Sequence, residues 1–426
     1  MSAYNGLERA IAKGLENFPW LRDLIRHSYK RIIYLAYRKH SFRYEMEGQL
    51  SLKTPYQLVG QEPPKEENLF FGYYDKSPWN PSMTKLIYHS YIRKTQRFVD
   101  IKCFDLVENK VRIVGRTETW NFQQGAMAQW IDDSTIIFNS IVEGNQLGAI
   151  SLNLDNGDQT EIPLPVQSLH PNGNKFISLN YKRLMLLRPD YGYSQTVENF
   201  SVDMDYAKDG LWELNLSDSS FSLILTIDEL IINKPVETMK KSKHKFNHVM
   251  YSPDGEKIVF MHRWLGAQGK FSRLYVYDFL SQKFKLLLDD RMISHYSWVN
   301  NRELVTWARY DEEDDYYVIN VDSDEVRSLG NNYRVFGDGH PSASKQNEKL
   351  IISDSYPDKG RIRTLFVMSE GRDELEVLGR FHSPWSFEGT ARCDLHPRWS
   401  PDGKLISIDS AHSGTRGTYL VEGLEV

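Results

Sequence analysis

Four segments in the second half of the chain gather histidine, arginine, tyrosine and aspartate beside turn-forming residues. They are Phe246-Asn247-His248 with Met261-His262-Arg263-Trp264; Ser294-His295-Tyr296-Ser297-Trp298 with Trp307-Ala308-Arg309-Tyr310; Gly337-Asp338-Gly339-His340-Pro341 with Asp354-Ser355-Tyr356-Pro357-Asp358 and Arg361-Ile362-Arg363; and Arg392-Cys393-Asp394-Leu395-His396-Pro397-Arg398 with His412-Ser413-Gly414-Thr415-Arg416. Imidazole and phenol groups move protons near neutral pH when their surroundings tune them, and a guanidinium fork fits a carboxylate. A pure scaffold has no need to bring such groups together.

The elements that carry these segments repeat. Tyr251-Ser252-Pro253-Asp254-Gly255 and Trp399-Ser400-Pro401-Asp402-Gly403 each precede an alternating apolar run, and looser copies begin at Ser77, Gln129, Leu169, Tyr296 and His340. Proline sets the first turn position, aspartate bonds its own backbone and glycine accepts positive φ, so each phrase ends one strand and starts another. The turns recur near residues 81, 132, 171, 253, 299, 344 and 401, mostly about 40 to 57 residues apart, the spacing of four-stranded propeller blades. The interval from 171 to 253 is too long for one blade, which places an insertion at about 182–239. The reading is all-β: a seven-bladed β-propeller over residues 67–426, preceded by a helical extension (1–45) and a linker or first edge strand (46–66). Innermost strands of a propeller line one axis, so equivalent positions in successive blades converge.

The motif order Gly72-Tyr73-Tyr74-Asp75-Lys76-Ser77-Pro78-Trp79, Phe246-Asn247-His248, His262-Arg263-Trp264, Ser294-His295-Tyr296, Asp338-Gly339-His340-Pro341, Tyr356-Pro357-Asp358 and Cys393-Asp394-Leu395-His396-Pro397-Arg398-Trp399 resembles the propeller polysaccharide lyases, the oligogalacturonate and ulvan lyase families, across about residues 67–420. The Ser-Pro-Asp-Gly turns are shared with TolB-like propellers. The resemblance implies β-elimination at a uronic acid, which needs a neutralised carboxylate, a base for the C5 proton and an acid for the leaving oxygen. On that basis Arg263 or Arg309 holds the carboxylate, His248 or His262 is the base, and Tyr296 or Tyr310 the acid. Tyr74, Trp79, Tyr356, Arg361, Arg363 and Arg398 are candidates for substrate binding. The oligogalacturonate lyases also hold a divalent metal. Matching motifs put His340 and His396 forward as ligands, with Cys393 three residues before His396, where that family has an amide. Arg398 stands where the family pattern has a further histidine, so the set is not the family's own. A His/Cys set favours zinc over manganese by softness.

Of 426 residues, 40% are hydrophobic and 13% aromatic, enough for a large core, and the net charge is −5 with lysine and arginine dispersed, which argues against nucleic acid as a partner. The two cysteines, Cys103 and Cys393, form no CxxC pair and imply no disulfide framework. There is no phosphate-binding Gly-rich loop and no G-x-S-x-G elbow. Glu8, Arg9, Lys13 and Glu16 interrupt the first apolar stretch, so the expectation is a cytoplasmic protein. Leu7, Ile11, Leu15 and Phe18 recur at helical spacing, and Leu21, Leu24, Ile25, Ile32, Ile33 and Leu35 continue the stripe beside Arg22, Arg26, Lys30, Arg31, Arg38 and Lys39. Such a basic amphipathic extension docks on its own propeller, on a protein partner or on the inner membrane face. Two functions follow: a lyase acting on a uronate-containing glycan, or a non-catalytic glycan- or protein-binding accessory of surface-polysaccharide (capsule or exopolysaccharide) biosynthesis.

Overall fold

The Ser-Pro-Asp-Gly phrase builds the same turn twice. Ser252 Oγ accepts from the Lys257 amide at 3.0 Å and donates to Asp254 Oδ1 at 2.6 Å. Ser400 does the same with Leu405 and Asp402, at 2.9 and 2.6 Å. Gly255 has φ 78°, and a Cβ there would lie 2.1 Å from the His170 ring of the preceding blade. Glycine is therefore required both for the turn and for the blade contact.

The computed structural model describes residues 19–39, 41–92, 97–194, 205–289, 292–371 and 375–424. These form a seven-bladed β-propeller whose blades are antiparallel sheets of four strands or, in blade 6, five. The blades have their innermost strands at Glu67–Phe70, Gln129–Trp130, Ser168–Leu169, Lys243–Tyr251, Ile293–Trp298, Ser342–Ala343 and Arg398–Trp399, and are numbered 1 to 7 in that order. Trp130, Trp298 and Trp399 each end such a strand and donate their indole N–H to a backbone carbonyl of the preceding blade, at 2.8, 3.3 and 3.1 Å. This recurring tie satisfies the indole while its ring fills the space between blades. The core runs between blades as clusters around Phe176 and Phe260, Leu86 and Phe104, Leu274 and Leu304, and Ile352 and Ile406.

The ring closes with chain from its start. Ser51–Lys53 pairs with Gly417–Glu422 as the outer strand of blade 7, and Tyr44–Met46 adds a fifth strand to blade 6. The expected boundary between 45 and 46 thus falls inside a strand. The expected insertion at 182–239 is also not one piece. Gly210–Asn215 and Phe221–Thr226 are the third and fourth strands of blade 3. Part of the extra chain, Tyr181–Leu187 and the turn Pro189–Tyr191, leaves between the second and third strands, and the helix Ile227–Asn233 links blade 3 to blade 4.

Of the extension, a helix spans Pro19–Tyr37; the earlier stripe of Leu7, Ile11, Leu15 and Phe18 lies outside the described residues. Tyr34 bonds His382 at 3.3 Å and packs edge-on against Trp385, while Ile32 and Leu35 are 65% and 59% exposed. Over residues 28–37, Tyr34 thus docks on the propeller while Ile32 and Leu35 stand bare. Among the described residues no helix is long and apolar enough to cross a membrane.

Candidate functional site

The repeat itself aims the histidines. Counting back three residues from the last residue of the innermost strand in blades 4 to 7 (Tyr251, Trp298, Ala343, Trp399) gives His248, His295, His340 and His396. The same offset gives Met127 and Val166 in blades 2 and 3. Four successive blades therefore present imidazole at one axial level. His248 and His396 take left-handed backbone, φ 49° and 45°, a conformation uncommon outside glycine and sustained only where the surroundings fix it.

Tyr74 sits within the arc, its ring centroid 5.5, 6.0, 5.3 and 6.2 Å from those of His248, His295, His340 and His396. Its hydroxyl donates to the Tyr296 carbonyl at 2.8 Å and accepts from the Tyr296 amide at 3.0 Å. Each imidazole is also held from outside. Asp75 faces His248 Nε2 at 3.2 Å, Asp338 faces His295 Nδ1 at 3.0 Å and Asp354 faces His340 Nδ1 at 2.7 Å, while His396 Nδ1 donates to the Gly72 carbonyl at 2.7 Å. The opposite nitrogens, His248 Nδ1, His340 Nε2 and His396 Nε2, are buried without a hydrogen-bond partner among the described residues. Burial, which disfavours imidazolium, lowers the pKa of His248 and His396 and brings that of His295 down to about 4, so these three rings are neutral at pH 7.

One set in the arc has the make-up of a metal centre: donor atoms of His340, His396 and Asp394 all lie within 4.8 Å of one another, and all three residues are buried. The free Nε2 atoms and the acceptors behind both rings are what metal-binding histidines need. Burial works against ionisation of Asp394, but Arg363 at 2.7 Å and Arg392 at 2.8 Å outweigh it and hold its pKa well below the usual carboxylate range. The residues fit a divalent cation. Asp394, not Cys393, is the third member, which corrects the sequence expectation: the Cys393 thiol is buried beside Phe387 and Ala411, with its pKa pushed up to about 11 by burial. With carboxylate in place of thiolate, the softness argument for zinc over manganese falls away.

Other expected residues divide sharply. His262 lies on the opposite face of its strand from Arg263, bonded to His244 at 2.9 Å and packed near Trp264, so it is placed with the blade interior. Arg309 pairs with Asp314 at 2.7 Å on the surface and Tyr310 is 40% exposed, both away from the arc. Tyr296 stacks on His248 but gives its hydroxyl proton to the His248 carbonyl, which leaves it no proton to donate to a substrate. Trp79 is buried in the packing of blade 1. Arg361 clamps the Ser383 carbonyl at 2.5 Å and Glu388 at 2.6 Å under the Trp385 ring. Arg398 bonds the Gly72 and Tyr73 carbonyls and Asp409, at 2.5, 3.1 and 2.9 Å, bracing the strand that carries Tyr74.

At the site remain Tyr356, half-buried with its ring 5.8 Å from His340, Arg363 on Asp394, and Arg263, whose Nε is buried and unpartnered and whose Nη2 donates to the Ile293 carbonyl at 3.0 Å. Sequence reasoning missed Asp75, Asp338, Asp394, Arg392 and the functional placement of His295. The constant three-residue offset from the strand-ending residue is the signal that would have found His295.

Fold and site together define a seven-bladed propeller with a histidine-lined axis and a candidate metal centre. No family model and no curated protein sequence matches the chain. Solved structures do. The oligogalacturonate lyase of Vibrio parahaemolyticus superposes with a TM-score of 0.62 at 11% identity, covering 90% of this chain and 97% of that one. An oligogalacturonate lyase in complex with manganese gives 0.61 at 14% identity, covering 90% and 96%. The chain thus shares the propeller fold of the oligogalacturonate lyases over nearly its whole length.

Proposed function

We propose that the protein is a lyase that cleaves a uronate-containing oligo- or polysaccharide by β-elimination. The observation that carries this reading is the arc of oriented imidazoles with free, buried nitrogens, set against a His340–Asp394–His396 centre in a lyase-like propeller. In the reaction a base takes the C5 proton, the electron pair forms the C4–C5 double bond, and the glycosidic oxygen leaves C4 with a proton from an acid.

His248 suits the base. Asp75 fixes Nε2 as the protonated nitrogen and leaves the Nδ1 lone pair free, and the carboxylate steadies the imidazolium formed on proton transfer. Asp75 can do so because Lys76 and His248 overcome its burial and hold its pKa at about 2. Arg263, with an unpartnered Nε, suits the uronate carboxylate. Tyr356 suits the acid, since Tyr296 is committed to a carbonyl and Tyr310 lies outside. Burial raises the Tyr356 pKa well above that of a free phenol, so its proton stays in place until the departing oxygen demands it. His340, His396 and Asp394 would hold a divalent metal, zinc or manganese, which when bound supplies Lewis-acid polarisation of the carboxylate.

The test is incubation with a panel of uronate oligosaccharides, with manganese or zinc, following the ultraviolet band of the unsaturated product. A rise that His248→Ala abolishes supports the reading; a flat trace from folded, metal-loaded protein overturns it.

A second reading has its own observation. Ile32 and Leu35 are exposed on a helix that also carries Lys30, Arg31, Arg38 and Lys39 nearby, the pattern of a contact with an anionic membrane or a protein in a surface-polysaccharide assembly. Partition onto anionic vesicles that is unchanged by deleting residues 1–37 would remove it.

A further inference from the structure

Blade 4 carries a second charged feature, next to the axial arc and built on strand register. Lys245 stands directly opposite Arg263 on the neighbouring strand, and two residues further out Lys243 and Lys270 stand on either side of Leu265. Positions two apart along a strand, and directly opposite across it, share one face. One sheet face therefore presents Lys243, Lys245, Arg263 and Lys270. Arg188 and Leu187, from the insertion in blade 3, cover it, and with Trp264 and Leu265 they line a small open cleft.

Like charges opposed across a strand pair destabilise a sheet, and among the described residues no carboxylate pairs with Lys245 or Arg263. Asp190, beside Arg188, is already held by Arg392 at 2.5 Å and lies 3.7 Å from Arg188. Lys245 is only 7% exposed and has no hydrogen bond or ion pair among the described residues. Arg263 Nε is buried and equally unpartnered. Burying ammonium or guanidinium groups without partners is expensive. The strain shows in the ammonium itself: burial first, then Arg263, Arg188 and Lys270, hold the Lys245 pKa well below that of an ordinary lysine.

We infer that this cavity is a binding site for a phosphoryl group, the phosphate or diphosphate of a phosphorylated ligand. Charge decides the class. Lys245 and the Arg263 Nε are buried while Lys243 and Lys270 are exposed at the mouth, so a carboxylate or a sulfate ester, with one negative charge, answers only one of the two buried cations. A phosphate monoester near neutral pH brings almost two charges and three acceptor oxygens, and a diphosphate more. Arg263 lines this cleft and also reaches blade 5, its Nη2 donating to the Ile293 carbonyl at 3.0 Å, so a ligand whose phosphoryl group is seated here extends toward the axial arc.

Titration calorimetry of the full chain at low salt with inorganic phosphate, diphosphate, sulfate and free galacturonate tests this, together with thermal midpoints. Phosphate and diphosphate should bind, diphosphate the more tightly, while galacturonate should bind at least about tenfold more weakly. Lys245→Met and Lys270→Ala should each weaken phosphate binding by about tenfold or more. Lys245→Met should also raise the thermal midpoint without phosphate, by removing the buried unpaired cation, and lose the further rise that phosphate gives the unaltered protein. That opposite movement separates a ligand site from simple unfolding. No heat with phosphate or diphosphate, galacturonate binding of equal affinity that is lost in Lys245→Met, or undiminished phosphate binding in the Lys245→Met, Lys270→Ala double variant would each overturn the assignment. None of these readouts depends on eliminative activity.

Discussion

His295 links the stability of the propeller to the charge state of its axis, and replacing it by glutamine should flatten the acid side of the stability curve. Burial holds its folded pKa at about 4, with His340 and His248 adding to the effect and Asp338 opposing it, against about 6.5 when unfolded. The unfolded chain therefore binds more protons than the folded one between those values. Stability is fully present above pH 6.5, falls as pH drops toward 4, and levels off below, where both states carry the proton. The full span is worth about 3 kcal/mol, and about 2.4 kcal/mol of it falls between pH 7 and pH 4.5. Urea unfolding at those two pH values would measure it. The unaltered protein should lose stability steeply, because His89, His244 and His412 are also pushed down to about 4 by burial. His295→Gln should lose about 2 kcal/mol less over the same interval. An equal loss in both proteins would show that His295 is already charged in the fold, and the picture of a neutral arc would fail.

Asp354→Asn should weaken binding of manganese or zinc by about 10- to 100-fold, because it removes the carboxylate that orients His340; metal content after dialysis reads this directly, and unchanged content would move the metal elsewhere. Tyr356→Phe should lower kcat by about 100-fold or more while leaving substrate affinity nearly intact, the mark of a proton needed only in the transition state; a pure loss of affinity would make it a binding residue instead. Arg309→Ala and Tyr310→Phe should leave turnover unchanged and stability within about 0.5 kcal/mol, since both lie on the surface. Arg361→Ala should destabilise by about 3 kcal/mol in chemical denaturation, because it strands Glu388 and the Ser383 carbonyl that the guanidinium now bridges.

The fold was legible because its signal is local and repeated. A Ser-Pro-Asp-Gly turn specifies its own hydrogen bonds whatever surrounds it, so two clear copies and five blurred ones are enough to count blades. The site was legible only in part, and the failures share a cause. Residue type and blade placed His248, His340 and His396 on the axis, but facing depends on strand parity, and parity is lost at bulges. The register shifts between Asn247 and Met250, so His262 and His248, both expected at the axis, are separated onto different surfaces. Asp394 was hidden behind Cys393, one residue away in irregular chain where no alternation predicts facing. The cations of blade 4 read as dispersed along the chain because three strands and an insertion contribute one or two each; pairing alone assembles them.

What separates working groups from bracing ones in this axis is the state of their hydrogen bonds. Arg398 and Tyr74 are as deeply buried as the histidines, yet Tyr74 spends its hydroxyl, and Arg398 all but its Nη1, on groups that the fold must hold. His89 spends both ring nitrogens, on the Phe71 carbonyl and the Ala126 amide at 2.8 and 3.0 Å, and so ties blade 1 to blade 2. His248, His340 and His396 spend one nitrogen on orientation and leave the other bare. A buried polar atom without a partner costs about 1–3 kcal/mol. His262 also keeps one bare nitrogen, but it stands alone inside a blade, whereas the three on the axis come from equivalent positions and ring Tyr74. Three such penalties at one place, each with its orientation already arranged, are hard to account for by folding alone. Under the proposed function their partners are a metal and a substrate.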